Sequence, residues 1–226
     1  MDPLFHLTLA TVAFIGTHFL SSTSLRMTLV EAIGERAYLG TYSAVSFITI
    51  GWMSWTYGMT PVIPLFEVPG LRLWPLVVMP FALILIAAGV MTRNPSLVGQ
   101  QHRLKDEEPA RGIVRITRHP VMWGIALWSA VHLLARGDAG ALVFFGGFLF
   151  VALAGTRLMD ARKADAFGED WKRFAAVTSN VPFTAIVEGR NRLVLHEIGW
   201  KRVGVGLAIY AVFLIVHSLL FGRPAF

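Results

Sequence analysis

Six stretches of the chain, residues 3–23, 39–60, 73–92, 119–135, 139–158 and 202–221, are apolar with little interruption. Each is close to the roughly 20 residues that a helix needs to cross about 30 Å of hydrocarbon. The pattern therefore predicts an all-α, polytopic membrane bundle of six transmembrane helices. The first stretch has Asp2 and no basic residues ahead of it, and no small-residue cleavage site follows, so it reads as a span rather than a signal peptide. Arg136-Gly137-Asp138 is short enough to turn the fourth and fifth spans into a tight hairpin. Residues 159–178 are charged, with Phe167, Trp171 and Phe174 spaced among the charges. They predict an interfacial amphipathic helix, broken at Gly168, that lies on the membrane surface and can roof a site open to lipid. No Gly-, Ser- or Pro-rich linker and no repeat divides the chain, so residues 1–226 read as one domain.

Composition agrees: 55% of the residues are apolar and 15% are charged, against about 25% charged in a soluble domain. Lys and Arg set the orientation. The loops after the first, third and fifth spans hold 17 of the 20 basic residues, and the opposite side holds Arg72, Arg136 and Arg223. The positive-inside rule then puts both termini on the non-cytoplasmic side. The net charge of +6 suits loops on anionic lipid, and without an aromatic-interleaved basic stripe it points to no nucleic acid. There is no cysteine, which excludes disulfides, thiolate-ligated haem, iron–sulfur clusters and Cys-based zinc sites.

His18, His132 and His217 fall inside apolar runs, where an imidazole is costly without a partner. Two neutral imidazoles from different helices can take the axial positions of a haem iron. Equally, each can hydrogen-bond across helices, with Ser21, Ser22 and Ser129 as available partners. His217 lies near the outer end of its span, and His6, His102 and His196 fall at an end or in polar loops.

The run Gly112 to Gly124 offers a second constellation. Pro120 suits a first helical turn, and Arg115, Arg118 and His119 beside the free N–H groups of that turn make an end friendly to a phosphate or carboxylate. The alternative is that Arg118 and His119 snorkel to headgroups. The inner carboxylates Asp160, Asp165, Glu169 and Asp170 are interleaved with basic residues and read as a solvated face rather than an acid–base pair.

The run from Gly112 to Asp138, the segment Phe167-Gly168-Glu169-Asp170, the run Thr178 to Ile186, Glu188-Gly189-Arg190, and His18 followed by Ser24-Leu25-Arg26 resemble the NnrU family. That family's relatives include the 15-cis-zeta-carotene isomerases of plants and photosynthetic bacteria. The resemblance implies a membrane isomerase that uses haem b, with His18 and His132 as axial ligands of the iron and Arg118 and His119 as catalytic residues at the inner mouth of the site. It also implies a lipid-soluble polyene substrate, 9,15,9′-tri-cis-zeta-carotene, entering sideways from the membrane lipids. Plant members carry a cysteine where this chain has Ser129, so a thiol cannot take part in ligand exchange. A count of residues along the spans places His18 and His132 at depths that differ by roughly half of the ~30 Å core, which leaves His119 as the alternative partner of His18.

Two other readings use the same residues. Arg118-His119-Pro120, Gly124, Phe167-Gly168 and Trp171 also resemble the membrane methyltransferases of isoprenylcysteine and phospholipids, which bind S-adenosylmethionine. Of the acidic pair those enzymes carry before Phe-Gly, however, the first position is Met159 here. A non-catalytic haem-binding protein of nitrogen-oxide metabolism fits the two histidines as well.

Overall fold

The apolar runs become helices where local signals allow them to start and stop. In the computed structural model, which describes residues 2–21, 23 and 25–222, Asp2 caps the first helix by accepting from Leu4 N at 3.0 Å, and Pro3 fills its first turn. Ser22, Ser24 and Arg223 lie outside the described residues. In chain order the helices are α1 (Pro3–Leu20), α2 (Leu25–Ile33), α3 (Glu35–Met59), α4 (Trp74–Met91), α5 (Pro120–Arg136), α6 (Ala139–Ala176), α7 (Thr184–Val187), α8 (Leu195–Ile198) and α9 (Trp200–Phe221). Among the described residues there is no strand, only an isolated bridge between Pro64 and Asp138. The six predicted spans correspond to α1, α3, α4, α5, α6 and α9.

Four of these, α1, α4 with the turn before it, α6 and α9, are long and apolar enough to cross a membrane, and the chain is a membrane protein. At 17 residues α5 is shorter, and the Ser, Thr, Tyr and Trp side chains of α3 dilute its apolarity. The separate surface helix expected over 159–178 is not separate. Up to Gly168 it continues the fifth span without interruption from Ala139, because Asp160 to Phe167 contains no residue that stops a helix. The expected break does occur at Gly168, whose φ of 47° and ψ of −119° are non-helical.

The chain forms two compact units, residues 1–72 with 129–151 and residues 73–128 with 152–226. In the first, α1 packs along α3 and buries Leu7, Ala10, Thr11 and Phe14. Gly137, at φ 58°, makes the tight turn between α5 and α6, and a Cβ there would strike the Phe66 carbonyl. Its own carbonyl accepts from Leu65 N at 2.8 Å and Phe66 N at 3.1 Å. The buried Asp138 caps α6 through Ala141 N at 2.8 Å and takes Arg136 Nη2 at 2.8 Å.

The second unit has a core of Ala88, Leu104, Ala110, Ile113, Val114, Ile116, Trp171, Phe174 and Ile198. Here α4 lies against α9 so closely that a Cβ on Gly206 would sit 2.7 Å from Ile84 Cα. Tyr210 Oη donates to Leu76 O at 2.9 Å, which satisfies a hydroxyl that hydrocarbon could not.

Candidate functional site

The run before α5 is held by carboxylates from the same unit. Gly112–Arg115 forms a single 3-10 turn. Arg115 forks onto Glu197, with Nε to Oε2 at 2.7 Å and Nη2 to Oε1 at 3.0 Å, and its Nη1 reaches Asn191 at 2.8 Å. Gly112 N adds a fourth donor to this cluster, at 2.9 Å from Glu197 Oε2. The Arg115 guanidinium holds the Glu197 carboxyl down to about 2, and the same pairing raises Arg115.

Three residues further on, Arg118 forks onto Asp160, with Nε to Oδ1 at 2.9 Å and Nη2 to Oδ2 at 2.6 Å. His119 Nε2 lies 2.7 Å from Asp160 Oδ1, and Asn180 Nδ2 donates to Oδ2 at 3.0 Å. The backbone stitches the same two runs together: Arg118 N donates to Ser179 O at 2.9 Å, Phe183 N to Ile116 O at 2.8 Å, and Thr117 Oγ1 to Asn180 O at 2.6 Å. The cations that the sequence offers to an outside anion are thus engaged by the chain's own Glu197 and Asp160.

Asp160 was expected on a solvated face and is instead the part-buried centre of this network. The signal that could have found it is its place at the end of an apolar span, where an acid needs a partner. Glu169 and Asp170 do behave as a solvated face, pairing with Lys172 and Arg173 at 2.6 Å on exposed positions.

Beside the network two polar atoms are buried without a partner, His119 Nδ1 and Trp123 Nε1. The Lys163 ammonium is also buried there. It donates to Pro95 O at 2.9 Å and lies 5.6 Å and 5.7 Å from the ring centroids of Phe167 and Trp171.

The two intramembrane histidines belong to the other unit. His18 Nδ1 lies 2.8 Å from Phe14 O, one turn back on α1, and its ring packs against Phe14 at 4.2 Å and Tyr42 at 5.6 Å. His132 stacks on Phe145 at 5.2 Å. A row of rings joins the histidines: Phe14 to Phe148 at 4.8 Å, Phe148 to Phe144 at 5.2 Å and Phe144 to Phe145 at 5.0 Å. With Phe14 level with Phe148, and Phe19 stacked on Phe150, α1 advances alongside α6. The imidazoles then differ by about 10 Å along the helix axes at 1.5 Å per residue, less than the count along the sequence gives. The structure brings Arg118 and His119 together around Asp160, and it places His18 and His132 in one unit at the two ends of the phenylalanine row.

Either histidine suits an axial haem ligand by donor chemistry, but the row of four phenylalanine rings and about 10 Å along the helix axes keep the two from meeting on one iron in this arrangement. Each is half-buried in an apolar helix. An Nδ1–H given to the Phe14 carbonyl leaves the His18 Nε2 lone pair for a metal, the way ligating histidines are oriented by a carbonyl behind them. Nε2 of His119, the alternative ligand, is taken by Asp160, which leaves Nδ1 as its one uncommitted nitrogen.

Relatives of known name share part of this chain. It is 37% identical over 113 residues, half of its length, to a chloroplastic 15-cis-zeta-carotene isomerase of Arabidopsis thaliana, of which that segment is 30%. It is 38% identical over 82 residues, 36% of its length, to the chloroplastic 15-cis-zeta-carotene isomerase of Zea mays, of which 22% is covered. The chain thus spans less than a third of either relative. No solved structure matches it. The family pattern described as NnrU protein, however, matches residues 6–225, nearly the whole chain, and the chain belongs to the NnrU family.

Proposed function

We propose that this protein is a haem b-dependent cis–trans isomerase of a carotenoid polyene, acting at the central 15-cis bond of 9,15,9′-tri-cis-zeta-carotene. The observation that carries the reading is the pair His18 and His132, two imidazoles on apolar helices of one compact unit, the first with Nδ1 committed to a carbonyl. The names of the relatives supply the substrate class.

His18 or His132 would hold the iron as one axial ligand, since the imidazoles stand about 10 Å apart along the helix axes, at the two ends of the phenylalanine row. A haem bound there supplies an electron-rich ferrous centre that donates into the alkene and lowers its double-bond character, so rotation needs neither hydride nor nucleotide. The chain's own side chains do the rest. Phe14, Phe144 and Phe145 are buried and, with Phe148, keep water from the imidazoles. A hydrocarbon polyene gives Arg118 nothing to pair with, so Arg118 and His119 act as positioning residues that lock the start of α5 to α6 through Asp160. The substrate enters from the membrane lipids, and the basic loops lie on the cytoplasmic side, with both termini opposite, in a bacterial inner membrane.

The absorption spectrum of detergent-purified protein, oxidised and then dithionite-reduced, tests the cofactor. A Soret band, sharp reduced bands and a b-type pyridine haemochrome are expected. A colourless protein that binds S-adenosylmethionine contradicts the reading and restores the methyltransferase alternative.

A further inference from the structure

The ends of two membrane spans meet at a cleft in the second unit. Gly206 packs on Ile84 and Tyr210 bonds to Leu76, so α4 and α9 run antiparallel and the end of one lies beside the start of the other. Arg202 Nε joins those ends, reaching Met91 O at 3.4 Å. Against them opens a cleft of about 1140 Å³, walled by residues of the 106–112 loop and by Glu197.

The charges lining this cleft do not cancel within the chain. Of its carboxylates, Glu197 is taken by Arg115, Asp106 by Arg103 at 3.6 Å and Glu108 by Arg111 at 3.0 Å. Glu107 has no partner among the described residues. The same pairings leave two guanidinia, Arg93 and Arg202, without a carboxylate. Arg93 stands two residues beyond α4 and is exposed. Arg202 is held in place by the carbonyls of Met91, Glu197 and Ile198, which use Nε and Nη1 and leave Nη2 to face an outside acceptor.

We propose that the cleft binds the headgroup of a zwitterionic phospholipid with a primary ammonium, the chemistry of phosphatidylethanolamine. Its phosphodiester lies between Arg93 and Arg202, and its ammonium pairs with Glu107. Both guanidinia stand where α4 and α9 leave the hydrocarbon, the level of the lipid phosphates. Exposed ion pairs are weak, so a dilute free ion would not stay, whereas a lipid is already concentrated against the two helices. An anionic lipid would bring a second negative charge to Glu107 and no cation to match it. A choline headgroup has no proton to give a carboxylate and is held by aromatic faces, and no Phe, Tyr or Trp lines the cleft. None of these residues takes part in the haem reading, so the two stand or fall separately.

The test is native mass spectrometry of the delipidated full chain in detergent. It is titrated with phosphatidylethanolamine, phosphatidylglycerol and phosphatidylcholine of identical acyl chains, and with soluble phosphoethanolamine. One saturable phosphatidylethanolamine per chain is expected, with an apparent Kd about tenfold below those of the other two lipids. Arg93→Gln should weaken it about fivefold, and Glu107→Gln should remove the preference over phosphatidylcholine. Both positions are exposed, so neither substitution disturbs the fold. Arg202 is left in place because its carbonyl bonds hold α8 to α9. Equal affinity for the three lipids overturns the proposal, as does either substitution if phosphatidylethanolamine binds it as it binds the parent. Phosphoethanolamine that binds as tightly as the lipid overturns it too, since the site would then take the free ion.

Discussion

Asp160 takes Arg118 in a two-point grip, Nε on one carboxylate oxygen at 2.9 Å and Nη2 on the other at 2.6 Å, across 42 residues of sequence. The pair is mostly out of solvent, with side-chain exposures of 13% for Arg118 and 19% for Asp160. Such a pair contributes little compared with an apolar replacement, but removing one partner strands the other charge.

Asp160→Ala should therefore lower stability by about 3 kcal/mol, which thermal unfolding in detergent will read as a large fall in midpoint. Arg118→Lys keeps the charge and loses the fork, so it should fall between the parent and Arg118→Ala. Should Asp160→Ala melt with the parent, the network does not hold the α5 start to α6.

Glu197 and Arg115 give a pH dependence whose sign follows from the carboxylate. Its folded value, about 2, lies below its ordinary 4.5, so the pairing stabilises fully above about pH 4.5 and is lost as the pH falls toward 2. Glu197→Gln should be less stable than the parent by a constant amount at pH 6 to 8, and the gap should close as the pH drops below 4.5. A gap that stays constant down to pH 3 would show that charge is not what Glu197 contributes.

Ligation is tested by His18→Ala and His132→Ala. Each should lower haem content or convert a six-coordinate, low-spin spectrum toward high spin while the protein still inserts, and replacing His102 or His196 should change nothing. Parent-like spectra from both intramembrane variants would remove the pair as ligands. Because the two imidazoles are offset by about 10 Å along their helices, loss of only one of them with effect would assign a single axial histidine.

The spans were legible because long apolar runs have few other solutions in lipid, and Gly168 was legible as a break because glycine alone adopts its φ of 47° without strain. The length of α6 was not. Charge begins at Asp160 and reads as a boundary, whereas Ala161 to Phe167 continue the helix by propensity. Arg118 and His119 stood out as a motif, but their partner did not, since the place of Asp160 at the end of an apolar span shows an acid that needs a partner without saying which, and contacts of this sequence separation leave no periodic trace. The unmet nitrogens of His119 and Trp123 were equally hidden, because an unsatisfied atom is a property of packing.

The most direct measurement of the central claim is made in the dark, because light isomerises the same bond. Purified haem-replete protein, reduced and then mixed with 9,15,9′-tri-cis-zeta-carotene, should convert it on chromatography to the 9,9′-di-cis isomer, while the oxidised protein and His132→Ala should not. Reduced, haem-replete protein that leaves the tri-cis pigment unchanged would contradict the isomerase reading and leave a haem-binding membrane protein without this catalysis.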